Sequence, residues 1–207
     1  MNLPNQLTIT RIVLIPFFVL CLHAWQFASN PVIIAVCFWL ALLLFIIAAI
    51  TDYLDGSIAR KRNIVTNFGK LFDPLADKLL TMAAFVAFVE MRAPDGHPIF
   101  PAWAIILILA REYLVTGLRS VALTNGTVIH ADKWGKQKTI WQLIGIIVVL
   151  VCIAARQTLL SLSIPTKAID PAMPIVFKGF LAIIVVLTVL SGLMFLFKNW
   201  GILTDHE

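Results

Sequence analysis

The sequence predicts an all-α fold, a polytopic membrane protein with six transmembrane helices, and two observations support that prediction. Apolar residues make up 60% of the chain and charged residues only 13%, with a mean hydropathy of +0.95, values far from those of water-soluble domains. The apolar residues also gather into six long runs, and a helix needs about 20 apolar residues to cross roughly 30 Å of hydrocarbon. These runs are 12–28, 32–50, 75–89, 99–123, 140–155 and 175–197.

The six runs use most of the 207 residues, so the sequence predicts a single membrane domain over 1–207. Residues 1–11 are expected to form an interfacial segment before the first span. The opening lacks the charged start, short apolar core and small-residue cleavage site of a signal peptide. Run 12–28 is therefore expected to remain as the first span.

The basic residues predict the orientation, because Lys and Arg near the ends of spans are retained in the cytoplasm. With the N-terminus inside, eleven basic residues fall on the cytoplasmic side and four fall outside. The eleven are Arg11, Arg60, Lys61, Arg62, Lys70, Lys78, Arg119, Lys133, Lys136, Lys138 and Lys198, and the four are Arg92, Arg156, Lys167 and Lys178. Both termini and segments 61–69 and 125–134 are thus predicted to be cytoplasmic, and segments 92–98 and 157–172 external.

Four aspartates lie between the second and third apolar runs, within residues 52–77. Asp52 and Asp55 have i, i+3 spacing and follow run 32–50, whose nineteen residues rise about 28 Å as a helix. Asp73 and Asp77 have i, i+4 spacing at the start of the next run, so each pair shares one helical face. Because Pro74 is best tolerated in a first helical turn, the third helix is expected to begin between about 70 and 73. Two helices joined by a short loop lie side by side, which brings the four acids together at the inner membrane boundary.

Such a group of carboxylates needs neutralisation. Two carboxylates about 6 Å apart repel each other by roughly 3 kcal/mol at an effective dielectric constant near 20, so protons or cations must bind. Hard oxygen ligands select magnesium, calcium or manganese. Pairing with the basic residues between 60 and 70 is the alternative. It is disfavoured because those residues cluster in the connecting loop, whereas the acids lie at helical spacings on the flanking helices.

The segments DYLDGSIAR at 52–60 and GKLFDPLAD at 69–77 resemble the D-x-x-D-G-x-x-A-R-x8-G-x3-D-x3-D motif of the CDP-alcohol phosphotransferase family at every fixed position. The resemblance implies transfer of a phosphatidyl group from CDP-diacylglycerol to an alcohol, with release of CMP. It further implies a homodimer that uses two Mg²⁺ or Mn²⁺ ions per active site. It also implies that Asp77 is the general base. The implied metal ligands are Asp52, Asp55, Asp73 and Asp77, and the implied nucleotide-site residues are Asn5, Thr8, Gly56, Ala59, Arg60, Thr66 and Gly69. For Asn5 and Thr8, capping of an N-terminal helix is the alternative role.

Three further segments resemble the phosphatidylglycerophosphate synthases of that family: MNLPNQLTITR at 1–11, REYLVTGLR at 111–119 and KWGKQKT at 133–139. They imply sn-glycerol 3-phosphate as the acceptor and a role in phospholipid biosynthesis. Arg111 lies about ten residues into the fourth run, where a lipid-facing charge costs several kcal/mol, so it is expected to face the interior. Arg119, Lys136 and Lys138 are candidates to join it as an anion-binding set. An ion pair with Glu112, or with an acid of another helix, is the alternative for Arg111.

Two rival functions differ from this reading. The same transfer could use another acceptor, such as inositol phosphate, serine or phosphatidylglycerol, and the sequence leaves that choice open. A cation channel or transporter also places acids in a membrane, but it favours the midplane and broken helices, whereas these acids lie at the inner boundary. The expected partners are anionic lipids and phosphate-bearing substrates. Binding of nucleic acid is not expected. The expected location is a bacterial inner membrane, with the active site on the cytoplasmic side.

Overall fold

The computed structural model describes the backbone of residues 3–62, 67–124 and 133–199, and the side chains of residues 9–51, 78–122 and 133–199. Within these residues the structure is helical and contains no strand, apart from one isolated antiparallel bridge between Arg92 and Pro98. The prediction of an all-α fold is therefore confirmed for the described part of the chain. The helices are α1 (Leu3–Leu22), α2 (Ala24–Phe27), α3 (Pro31–Arg62), α4 (Asn67–Glu90), α5 (Ala102–Thr124), α6 (Lys133–Ser161) and α7 (Ala172–Lys198).

The first apolar run differs from its prediction, because it is divided between α1 and α2. The break falls at His23. Both the backbone nitrogen of His23 and its ring Nδ1 lie within hydrogen-bonding distance of the Val19 carbonyl oxygen, at 3.1 Å and 2.9 Å. The imidazole thus holds the chain at the end of α1. Residues 3–11 of the predicted interfacial segment belong to the same helix as residues 12–22, since α1 begins at Leu3.

The start of the third long helix was predicted wrongly. Helix α4 begins at Asn67 rather than between 70 and 73, so Pro74 is its eighth residue. A proline removes one backbone donor, and the helix continues through that missing hydrogen bond. Helices in membranes tolerate such interruptions where neighbouring groups satisfy the freed backbone atoms.

Three helical segments in the described residues are long and apolar enough to cross a membrane: Pro31–Thr51, Lys133–Ser161 and Ala172–Lys198. The part of α1 whose side chains the structure describes, Ile9–Leu22, is also apolar. Large apolar side chains also cover the outside of the bundle, because Ile106, Ile175 and Phe197 are 66%, 72% and 75% exposed. Such a surface suits hydrocarbon rather than water, and the chain therefore has the features of a membrane protein.

The core of the bundle lies where α3 packs against α1 and α6, and where α6 packs against α7. Aromatic rings fill much of it: Phe18 of α1 lies 5.7 Å from Phe45 of α3, centroid to centroid, and the Phe88 ring meets the Phe100 ring edge-on at 5.5 Å. Gly145 lets the Ile184 side chain of α7 pack against the backbone of α6, since a Cβ there would lie 2.9 Å from Ile184 Cδ1. Small residues at helix interfaces serve the same purpose throughout membrane proteins.

Candidate active site

The four aspartates of the motif lie on two consecutive helices. Asp52 and Asp55 are near the C-terminal end of α3, and Asp73 and Asp77 are in the N-terminal part of α4, as the sequence predicted. Their side chains lie outside the described residues, and so do those of the predicted nucleotide-site residues Asn5 and Thr8 on α1, Gly56, Ala59 and Arg60 on α3, and Gly69 on α4. Thr66 lies outside the described residues altogether.

Lys78 directly follows Asp77 and connects α4 to α5. Its Nζ donates a hydrogen bond to the Thr116 hydroxyl and lies 3.5 Å from the Glu112 carbonyl oxygen. The Thr116 hydroxyl in turn donates to the same carbonyl at 2.7 Å. The middle of α4 is therefore fixed to the middle of α5 by a lysine next to the motif.

Glu112 lies at the centre of a group of charged side chains from α5 and α6. Its carboxylate forms an ion pair with Lys138, whose side chain is fully buried. Nη1 of Arg111 lies 3.8 Å from the other carboxylate oxygen of Glu112. The ion pair that the sequence offered as an alternative role for Arg111 is thus present, and the same acid also neutralises Lys138.

Gly192 makes room for the Arg111 side chain, and Gly135 lies next to it. A Cβ at Gly192 of α7 would lie 3.1 Å from Arg111 Cγ, and a Cβ at Gly135 of α6 would lie 3.7 Å from Arg111 Nη2. The Arg111 side chain is only 14% exposed, as expected for a charge that faces the bundle interior. Its buried Nε makes no hydrogen bond within the part of the chain that the structure describes.

The other two predicted acceptor-site residues are placed differently. The Arg119 guanidinium lies over the Phe195 ring of α7, with 5.5 Å between its Cζ and the ring centroid, a distance typical of a cation–π contact. Lys136 is exposed near the start of α6. The structure therefore brings Arg111 and Lys138 together around Glu112, places Arg119 against α7, and leaves Lys136 on the surface.

A polar cavity of about 100 Å³ adjoins this group. Its polar lining residues are Arg11, Lys78, Thr81, Glu112, Thr139 and Gln142, and apolar side chains form the rest of the lining. Ala48 and Ala49 of α3 also line it, and Ala48 precedes Asp52 by four residues, which is about one helical turn. The cavity thus borders the motif on α3 through these alanines and on α4 through Lys78.

Arg11 and Gln142 are two residues of this cavity that the sequence did not identify as site residues. They are only 2% and 4% exposed. Glu112 and Lys78 were also outside the predicted set. An acid within an apolar run needs neutralisation by basic residues, and this rule could have identified Glu112 as a site residue. From the sequence, Glu112 was considered only as a partner for Arg111.

The donor chemistry of the motif fits a divalent metal site. Four carboxylates supply only hard oxygen ligands, which suit Mg²⁺ and Mn²⁺. The four residues lie at helical spacings on two consecutive helices, α3 and α4. The choice of ion and the number of ions remain predictions.

A family model described as CDP-alcohol phosphatidyltransferase matches residues 1–195. The chain belongs to this family. A relative named CDP-diacylglycerol–glycerol-3-phosphate 3-phosphatidyltransferase in Bacillus subtilis is 39% identical over 203 residues, 96% of this chain and 95% of the relative. Proteins with the same name are 38% identical over 149 residues in Rickettsia felis, covering 72% of this chain and 75% of that protein, and 36% identical over 147 residues in Haemophilus influenzae, covering 70% and 73%.

Family membership confirms the resemblance that the aspartate motif indicated. The matched region includes both helices that carry the motif, as well as α5, α6 and most of α7. The described residues around Glu112 therefore belong to the same family domain as the motif, and the polar cavity lies between them.

Proposed function

We propose that this chain transfers the phosphatidyl group of CDP-diacylglycerol to sn-glycerol 3-phosphate, giving phosphatidylglycerophosphate and CMP. The observation that carries the proposal is the B. subtilis relative, which is 39% identical over 96% of this chain and whose name states that reaction. The basic residues beside the motif fit an acceptor that already carries a phosphate.

The reaction is a displacement at phosphorus. The primary hydroxyl oxygen of glycerol 3-phosphate bonds to the β-phosphorus of CDP-diacylglycerol, and the bond from that phosphorus to the bridging oxygen breaks. CMP leaves with the bridging oxygen, and the hydroxyl proton passes to a base. Asp77 is the proposed base, because it lies one helical turn beyond Asp73 on α4 and next to Lys78, which borders the polar cavity.

The carboxylates of Asp52, Asp55, Asp73 and Asp77 are the proposed ligands of two Mg²⁺ or Mn²⁺ ions. When bound, such ions neutralise negative charge on the transferred phosphoryl group and on the departing phosphate. Gly56, Ala59, Arg60, Thr66 and Gly69, with Asn5 and Thr8, are the proposed contacts of the nucleotide.

The acceptor phosphate is proposed to bind beside Glu112. Arg111 approaches it within the bundle, and Arg11, Lys78 and Lys138 lie on the surrounding helices. The positive charge of these side chains suits a dianionic phosphate, because charge-assisted hydrogen bonds are strong. Glycerol without its phosphate would not benefit from that charge.

Six transmembrane helices are also proposed. Helices α1, α4 and α5 have 20, 24 and 23 residues, and each is long enough to cross about 30 Å. The polar side chains of α4 and α5, such as Lys78, Arg111 and Glu112, contact one another rather than lipid. The eleven-to-four distribution of basic residues favours a cytoplasmic active site in a bacterial inner membrane. The proposed assembly is a homodimer.

A product survey tests the acceptor. Purified protein is supplied with CDP-diacylglycerol, Mg²⁺ and equal concentrations of glycerol 3-phosphate, glycerol, serine, inositol phosphate and phosphatidylglycerol, and the lipid products are identified by mass spectrometry. Phosphatidylglycerophosphate is expected as the main product. A different main product would overturn the acceptor assignment but leave the family chemistry intact, whereas release of no CMP would overturn the transferase assignment itself.

A further inference from the structure

A second cavity, of about 210 Å³, lies at the opposite end of the bundle from the aspartate motif. Phe38 of α3 and Met91, just after α4, are both part of its lining. Each is fourteen residues from the nearer motif aspartate, Asp52 or Asp77, which corresponds to about 21 Å along a helix. This distal cavity is therefore separate from the proposed catalytic site.

The walls of the distal cavity are apolar. Phe38, Phe177 and Met173 are 4%, 1% and 6% exposed, so the wall that they form is fixed by packing. Trp25, also part of the lining, is 41% exposed, and tryptophan is enriched where an apolar surface meets water at the membrane boundary. The cavity is larger than the roughly 150 Å³ of an apolar cavity that admits benzene, and it can therefore receive a hydrocarbon segment.

The rim of the distal cavity is polar and positively charged. Arg92, Arg156 and Gln157 line it. Nε of Arg156 already donates to Asp170 Oδ1 at 2.7 Å, so the charge of Arg156 is largely balanced. Arg92 is exposed, and within the described part of the chain its guanidinium has no ion-pair partner.

The two acids nearest Arg92 in sequence have other partners. Glu90 accepts hydrogen bonds from His23 at 3.0 Å and from Gln26 at 2.6 Å. Asp95 forms an ion pair with Lys178 at 3.3 Å. The rim thus carries about one uncompensated positive charge, directly above an apolar wall.

We propose that the distal cavity binds an anionic glycerophospholipid from the leaflet opposite the active site. Its phosphate contacts Arg92 and the amide of Gln157, and the first part of an acyl chain lies along Phe38 and Phe177. A single negative charge joined to hydrocarbon complements one free guanidinium above an apolar wall. A zwitterionic lipid adds a second cation beside Arg92 and Arg156, so it binds more weakly.

Native mass spectrometry of the purified full chain tests the proposal. Retained lipid is counted with dioleoylphosphatidylglycerol, with dioleoylphosphatidylcholine, and with sn-glycero-3-phosphoglycerol, which has the same phosphodiester headgroup without acyl chains. The comparison is between wild type, Arg92→Gln and Lys167→Gln. Lys167 is exposed in the segment between α6 and α7 and is not part of the cavity lining. Lys167→Gln is therefore a matched control that also removes one positive charge.

Arg92→Gln is expected to weaken retention of the anionic lipid about fivefold to tenfold, and Lys167→Gln to leave it within about twofold. Arg92→Lys, which keeps the charge, is expected to restore most of the binding, and it also tests the site if Arg92→Gln does not fold. Lipid held at the catalytic site is unchanged across these variants and cancels in the comparison. Three outcomes would each overturn the proposal. Wild type could retain both lipids equally, or the two glutamine variants could have equal effects. The soluble phosphodiester could also bind as tightly as the anionic lipid.

Discussion

Lys138 of α6 is fully buried and forms an ion pair with Glu112 of α5. The pair connects two helices inside the bundle and adjoins the polar cavity that Glu112 lines. A buried pair of this kind adds little net stability over apolar residues of similar volume, but the loss of one partner leaves an uncompensated charge. The arrangement around Glu112 is therefore sensitive to single substitutions.

The first prediction concerns this pair. Glu112→Gln is expected to lower the free energy of unfolding by about 3 to 5 kcal/mol, because Lys138 loses its buried counter-charge. The double substitution Glu112→Gln with Lys138→Met is expected to be less destabilised than Glu112→Gln alone. Denaturant unfolding in detergent measures both. Additive effects of the two substitutions would contradict a direct interaction between these side chains.

The second prediction concerns the metal site. Asp52→Ala, Asp55→Ala and Asp73→Ala are each expected to abolish CMP release without loss of folded protein from membranes, because each removes a proposed metal ligand. Excess chelator is expected to have the same effect on wild type, with recovery on addition of Mg²⁺ or Mn²⁺. Asp95→Asn is the control, since Asp95 lies at the other end of the bundle and pairs with Lys178. Full turnover in chelator would rule out a required metal.

The third prediction concerns the base. Asp77→Asn is expected to remove turnover while CDP-diacylglycerol still binds, because the amide cannot accept the proton from the attacking hydroxyl. Turnover is followed as CMP release, and binding by retention of the lipid nucleotide on purified protein. If the asparagine variant retains near-normal turnover, the base is another group.

The fourth prediction concerns the acceptor site. Arg111→Gln is expected to raise the apparent KM for glycerol 3-phosphate by roughly 10 to 150-fold, the loss of one charge-assisted hydrogen bond of about 1.5 to 3 kcal/mol. The KM for CDP-diacylglycerol is expected to change much less. Lys133→Gln, at an exposed position in the first turn of α6, is the matched control. Steady-state kinetics with each substrate varied in turn measures both constants, and equal changes in the two would contradict a specific acceptor role.

Arg119→Ala and Lys138→Ala extend the same test to the other predicted residues. Arg119 already stacks on Phe195 and Lys138 already pairs with Glu112, so each also contributes to packing. Their kinetic effects are therefore interpreted only alongside their unfolding free energies. A rise in acceptor KM with unchanged stability would assign either residue to the acceptor site.

The fifth prediction concerns acid stability. The hydrogen bond from Arg156 lowers the pKa of Asp170 below its ordinary value. Partial burial raises that pKa, and the hydrogen bond from Thr166 lowers it. Because the folded-state pKa is depressed, the stabilisation is present above the unfolded-state pKa of about 3.9 and is lost as the pH falls through the lower folded-state value. Wild type is expected to lose thermal stability over that range more steeply than Asp170→Asn. Parallel Tm curves from pH 7 to pH 3 would contradict this role.

Much of the architecture follows from composition and spacing. The six apolar runs correspond to the long helices α1 and α3 to α7, because a long apolar run in hydrocarbon satisfies its backbone hydrogen bonds by forming a helix. The spacing of Asp52, Asp55, Asp73 and Asp77 indicated the family, and the family model over residues 1–195 agrees. Two local details were not predictable in this way, since the break at His23 and the passage of α4 through Pro74 depend on which groups satisfy the carbonyl oxygens.

The sequence by itself determined the helical membrane class, the family and the residue types of the aspartate motif, since all of these depend on composition and on spacing along the chain. Only the tertiary structure decided which group each of these basic residues contacts. It placed Lys138 and Arg111 on Glu112, Arg119 on Phe195 and Lys78 on Thr116. The physical reason is that a helical period shows which residues share one face of a helix, whereas a buried charge takes its partner from whichever neighbouring helix packs against that face.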